Sequence, residues 1–219
     1  YLASVYLAEE KGAFSKFDAD KFLKEGFALT LPARIRMLIK KKGIRNAILH
    51  AIAPTGTISI LMNVSSGIEP IFSPIYLRRW RVANVWNETV VVDPLFREYV
   101  ESGIPIERLK ELFGGAYKVS PEEHLSVQAT VQKFVDQSIS KTINLPLGTE
   151  SSSFSDIALD YAPYLKGFTV YRAASKSFEP LSEIELTEEN IKKYVIKEKN
   201  ISEVAEGVAC TISGGSCGE

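Results

Sequence analysis

Ala53-Pro54-Thr55-Gly56-Thr57-Ile58-Ser59 crowds a proline, a glycine, two threonines and a serine into one short stretch. Those residue types suit an anion. Pro54 fixes one backbone torsion and Gly56 frees another, so the chain can turn sharply. At the start of a helix such a turn aims backbone N–H groups outward. The hydroxyls of Thr55, Thr57 and Ser59 add donors, and Ile58 completes the run. Neutral donors converging at a helix N-terminus fit a phosphate group. The lysine of a Walker P-loop is missing, which excludes the usual nucleotide-hydrolysis reading. An ordinary capped turn is the plain alternative.

The other reactive pair is Cys210 and Cys217, the chain's only cysteines. Six residues separate them, and four of these are Gly or Ser. That linker is flexible enough for the sulfurs to meet, since a disulfide needs Cα atoms only about 4.4–6.8 Å apart. An exposed tail leaves both thiols open to exchange with another disulfide. Unreactive tail cysteines, or half of a metal site, are the other readings. With both cysteines at one end, the core holds no disulfide framework, which fits a cytoplasmic protein. His50 and His124 have no ligand-spaced neighbours, so no metal site is expected.

Several elements must position these groups. A helix over residues 1–11 stops at Gly12, and Asp18 caps a short helix through Glu25. Pro32 opens a helix over Ala33–Lys42, with Lys40, Lys41 and Lys42 opposing the negative end of its dipole. Ile44–Ala53 reads as a strand that delivers the hydroxyl-rich turn. Aromatic and β-branched residues predict one or two strands over Arg79–Val92. Arg78, Arg79 and Arg81 reach either an anionic ligand or surface ion pairs. Asp93-Pro94 caps a helix to Glu101, and a further helix covers Ile106–Phe113.

The clearest pattern follows. Ser120-Pro121-Glu122-Glu123 forms a capping box for a helix running to about Gln137, with Leu125, Val131, Phe134 and Val135 on its core side. A strand over Lys141–Leu145, a helix over Asp156–Leu165 capped by Ser155, and a strand over Phe168–Tyr171 come next. Short links between these elements imply parallel strands with right-handed crossovers, the grammar of an α/β barrel. A formal net charge of −1 gives no general attraction for nucleic acid or membrane. The apolar runs are too short for a membrane span.

Gly43-Ile44-Arg45-Asn46, the turn Ala53–Ser59, and Ser66-Gly67-Ile68-Glu69-Pro70-Ile71-Phe72 resemble the catalytic subunit of ribonucleotide reductase. The resemblance is closest to the adenosylcobalamin-dependent class II type. It continues through Gln132–Pro146 and Leu165–Arg172 in the family's order. It implies an α/β fold in which residues 1–176 form the C-terminal portion of a ten-stranded α/β barrel. Residues 177–219 would then be a charged segment and a mobile cysteine-containing tail. Pro54, Thr55, Gly56, Thr57, Ile58 and Ser59 would hold the phosphates of a ribonucleotide substrate. Cys210 and Cys217 would re-reduce an active-site disulfide, with thioredoxin or glutaredoxin as reductant. Adenosylcobalamin is the implied cofactor, with no binding site identified in this chain.

Class I members carry two adjacent tyrosines near Tyr171; Val170 stands there instead, which supports class II. The family's radical cysteine lies upstream of the matched region, so the chain by itself is expected to be inactive. Its implied partner is the N-terminal half of the catalytic subunit or a separate chain. A non-catalytic phosphate-binding or regulatory subunit is the alternative.

Overall fold

The computed structural model describes residues 1–24, 26–173, 175 and 179–196. Cys210, Cys217 and the expected mobile tail lie outside the described residues. Helix α1 (Leu2–Lys11) stops at Gly12 as expected. In α2 (Ala19–Phe22) the Asp18 carboxylate accepts from the amides of Asp20 and Lys21. This helix ends at Phe22, short of the predicted Glu25, and a 3₁₀ turn over Gly26–Thr30 lies beyond it. Helix α3 (Ala33–Lys42) fills its predicted span. Gly43 then turns the chain at φ 78, where an added Cβ would lie 2.9 Å from the Ala13 Cβ.

The strand expected over Ile44–Ala53 does not form. Only Ile52 makes a bridge, parallel to Ile139. The amides of Leu49 and His50 donate instead to the Asp136 carboxylate, at 2.9 and 2.7 Å. A side chain has taken donors that a strand ladder would use. Helix α4 (Gly56–Leu61) follows.

Strands β1 (Ile75–Val82) and β2 (Val85–Val92) form an antiparallel hairpin. Its turn residues Ala83 and Asn84 both take positive φ, 45 and 67. That pair of left-handed residues matches the right-handed twist of the flanking strands. Helix α5 (Pro94–Glu101) starts at Asp93, whose carboxylate accepts from the Phe96 amide at 2.9 Å. Helix α6 (Ile106–Leu112) comes next.

Helix α7 (Pro121–Gln132) ends five residues before the predicted Gln137. The Gln132 side chain donates to the carbonyls of Val135 and Gln137, closing the turn. Leu125 and Val135 are buried as expected, but Phe134 is 73% exposed because the helix has already ended. Strand β3 (Thr142–Leu145) precedes α8 (Ser151–Tyr161). The expected cap Ser155 is an interior residue of α8, its hydroxyl bonded to the Ser151 carbonyl. Strand β4 (Thr169–Arg172) pairs with β3. Thr169 donates to Lys141 and Ala173 to Leu145, so the partners advance together and the pair is parallel, as predicted. Strand β5 (Leu181–Glu183) adds to β1, giving the order β2-β1-β5. Helix α9 (Glu188–Ile191) is capped by the Thr187 hydroxyl.

The chain divides into two compact units. One comprises Tyr1–Thr55, Pro121–Ile143 and Gly148–Tyr171. One of its clusters buries Val5, Leu31, Ile39 and Ile44, with Phe14, Phe17 and Phe22 against them. The other comprises Gly56–Ser120, Asn144–Leu147 and the described residues from Arg172 to Ile196. There Ile75, Phe96, Leu109, Phe113 and Val195 form the core, and the Phe96 and Phe113 rings meet edge to face at 5.1 Å. Full burial of a side chain such as Phe96 contributes about 1.5–3 kcal/mol. Gly115 permits a close crossing in this unit, since a Cβ would fall 2.6 Å from the Phe72 carbonyl oxygen. The described residues form an α/β arrangement without a closed barrel. No helix among them is long and apolar enough to cross a membrane.

Candidate functional site

The segment leading to the hydroxyl-rich turn is anchored by Asp136. Its carboxylate accepts from the Tyr1 hydroxyl and from the amides of Leu49 and His50. The Lys166 ammonium donates to the Asp136 carbonyl. Just beyond it, the amide of Gln137 donates to the His50 carbonyl and that of Ser140 to the Ile52 carbonyl. Burial by itself pushes the Asp136 carboxyl up and is the largest single influence. The Tyr1 hydroxyl, the two amides and the charge of His50 outweigh it together, so Asp136 titrates below the ordinary carboxylate range. Burial and this same hydrogen bond push the Tyr1 hydroxyl up, keeping it a donor.

The lowered carboxyl has a testable consequence. Its stabilisation is present above the unfolded-state value of about 3.9 and is lost as pH falls through the lower folded value. Asp136→Asn keeps an acceptor but loses the charge. The variant is expected to be less stable near neutral pH, with a shallower loss of stability in acid. Urea midpoints measured from about pH 7 to 2 test this, and identical pH slopes would refute it.

Past Ile52 the turn has a different backbone from the expected one. Thr55, not Gly56, takes the left-handed conformation, with φ 49. A β-branched residue there is a costly outlier, of the kind that clusters at ligand sites. Gly56 opens α4, and a Cβ built on it would meet nothing within 4 Å. The glycine is therefore required neither by φ nor by a protein neighbour; the space in front of it is open. Ser59 is buried, and its hydroxyl donates to the Gly56 carbonyl at 2.9 Å. It braces the first turn rather than facing outward. Thr57 and Ile58 are exposed.

Arg78 on β1 brings a charge to this segment that sequence spacing did not reveal. Its Nη2 donates to Thr57 Oγ1 at 3.1 Å. Arg79 behaves as the surface alternative predicts, pairing with Glu88 at 3.3 Å. Arg81 donates to the Asn84 side chain at 2.8 Å. Elsewhere, Lys141 is 2% exposed, with its ammonium 2.9 Å from Nδ1 of His124, itself 1% exposed. Its alternation with Ile139, Ile143 and Leu145, all buried, was the available signal that the Lys141 side chain points inward. His50 lies beside the Tyr1 ring, with the ring centroids 5.6 Å apart. No cluster of three or more His, Cys, Asp or Glu suited to a metal occurs among the described residues.

Parallel strands joined by a crossover helix, together with the helix-opening turn, define an α/β protein. Residues 1–171 match the barrel domain of ribonucleotide reductase, and the chain belongs to that family. It is 35% identical over 204 residues to a vitamin B12-dependent ribonucleoside-diphosphate reductase of Thermoplasma acidophilum, covering 82% of this chain and 24% of that protein. A vitamin B12-dependent ribonucleoside-diphosphate reductase of Mycobacterium tuberculosis (strain CDC 1551 / Oshkosh) is 31% identical over 208 residues, with 83% and 27% covered. The ribonucleoside-diphosphate reductase subunit alpha of Chlamydia muridarum is 25% identical over 244 residues, with 91% and 23% covered. The chain spans about a quarter of the length of these relatives.

Proposed function

We propose that this chain is part of the catalytic polypeptide of a B12-type ribonucleotide reductase and supplies its substrate phosphate-binding loop, Pro54–Ser59. Residues 1–176 contribute to a ten-stranded α/β barrel, and 177–219 form the charged segment and redox tail. The substrate is a ribonucleoside di- or triphosphate, and the reaction removes the ribose 2′-hydroxyl in the cytoplasm. The observation that carries the loop assignment is the strained Thr55 followed by unfilled space over Gly56. Backbone and side-chain donors at such a turn compensate phosphate charge without a lysine.

The family's thiyl radical abstracts a hydrogen atom from the sugar, and a cysteine pair supplies two electrons. Cys210 and Cys217 then restore that pair, drawing electrons from thioredoxin or glutaredoxin. Adenosylcobalamin supplies the radical when bound. The described residues define no seat for it: His124 is committed to Lys141, and no metal-type cluster is present among them. Exposed Ile58 and Leu61 on α4, with Met62 just past its end, support a covering partner, the N-terminal half of the catalytic subunit.

Co-expression with that half tests the reading. Cobalamin-dependent formation of deoxyribonucleotides is expected only when both parts are present. A folded, assembled complex that binds no ribonucleotide and forms no product would overturn it.

A further inference from the structure

We propose that Arg78 is an additional ligand for the substrate phosphate, a cation lent to the Pro54–Ser59 loop by the hairpin; this rests on the loop reading above. The loop's own side-chain donors are neutral, whereas a nucleoside diphosphate is a polyanion. Arg78 is the charged group that reaches Thr57, through Nη2 to Oγ1 at 3.1 Å. Accepting that bond turns the hydroxyl hydrogen of Thr57 away from the arginine, where it can donate to a phosphate oxygen. Arg78 and Thr57 then act as one donor pair.

The guanidinium is held in place. Residues 78 and 80 fall on the same face of β1, and the Arg78 guanidinium lies 5.7 Å from the centroid of the Trp80 ring. Cation–π contact limits the freedom that binding would otherwise have to remove. The neighbouring arginines differ. Arg79 is occupied by Glu88 and by the Ser182 hydroxyl, and Arg81 by Asn84 and the face of Trp86. Among the described residues no carboxylate lies within ion-pair distance of Arg78. A guanidinium has five N–H donors in a planar fork, and the bond to Thr57 uses one. The rest of the fork matches the geometry of phosphate oxygens.

The test uses the assembled reductase and three probes: a ribonucleoside diphosphate, inorganic pyrophosphate and the matching nucleoside. Arg78→Gln is expected to weaken binding of the diphosphate and of pyrophosphate by about ten- to a hundredfold, the range of a hydrogen bond to a charged group. Nucleoside binding should not change. KM should rise with kcat nearly preserved, and Arg78→Lys should recover part of the loss. Equal weakening of all three probes would make Arg78 a structural residue only and overturn the proposal. Wild-type pyrophosphate affinity in both Arg78 variants, with Gly56→Val and Thr57→Ala impaired, would also overturn it while leaving the loop assignment intact. Wild-type affinity in all four variants would remove both.

Discussion

Gly56→Val is expected to weaken ribonucleotide binding by at least about tenfold in the assembled reductase, equivalent to about 1.4 kcal/mol or more. The same variant should unfold at nearly the wild-type temperature. The two halves of this expectation have separate causes. Gly56 lies at the start of α4 without a positive φ, and its missing side chain faces open space. A Cβ there meets no atom of the folded chain within 4 Å, and a side chain reduces the freedom of the unfolded chain. What it would block is the close approach of a phosphate to the backbone of the turn. Thr57→Ala should cost about 1–3 kcal/mol of affinity, because it removes a hydroxyl from a charged oxygen. Calorimetric titration beside thermal unfolding separates these effects. Unaltered affinity in both variants would remove the phosphate assignment. A large fall in melting temperature would show that Gly56 serves the fold instead.

Cys210→Ser or Cys217→Ser is expected to stop multiple turnover driven by thioredoxin, leaving about one turnover per active site. The relay needs both sulfurs. As a dithiol the pair would reduce the active-site disulfide and become a disulfide itself, passing on two electrons and two protons. Thioredoxin would then reduce the relay by the same exchange. A serine at either position cannot complete the bond. A small dithiol that enters the active site directly should still support turnover in the variants, which separates a relay defect from a damaged site. Normal thioredoxin-driven turnover in the double mutant would assign these cysteines no relay role.

Much of the local structure was legible because its signals span only a few residues. Asp93-Pro94 starts α5 through one carboxylate-to-amide bond, and Pro32 with Gly43 brackets α3. The helix–strand–helix–strand rhythm from Pro121 to Arg172 identified a parallel pair, and the words spread over residues 1–175 identified the family. Errors arose where a side chain took backbone donors or acceptors, whether from far along the chain or from the next turn. Ile44–Ala53 has the composition of a strand, yet Asp136, 86 residues beyond His50, takes amides that a ladder would use. Gln132 folds back onto Val135 and Gln137, ends α7 early and leaves Phe134 outside.

The turn itself shows the same division. Its sequence alone determined that residues 54–59 would break the chain, open a helix and carry hydroxyls. Tertiary structure decided that Thr55 bears the left-handed torsion, that Ser59 turns inward, and that Arg78 meets Thr57 from 21 residues away. Residue type sets which torsions and hydrogen bonds are available within a few positions of the chain. Which donor finds which acceptor across tens of residues depends on how strands and helices pack, and that geometry exists only in the folded chain.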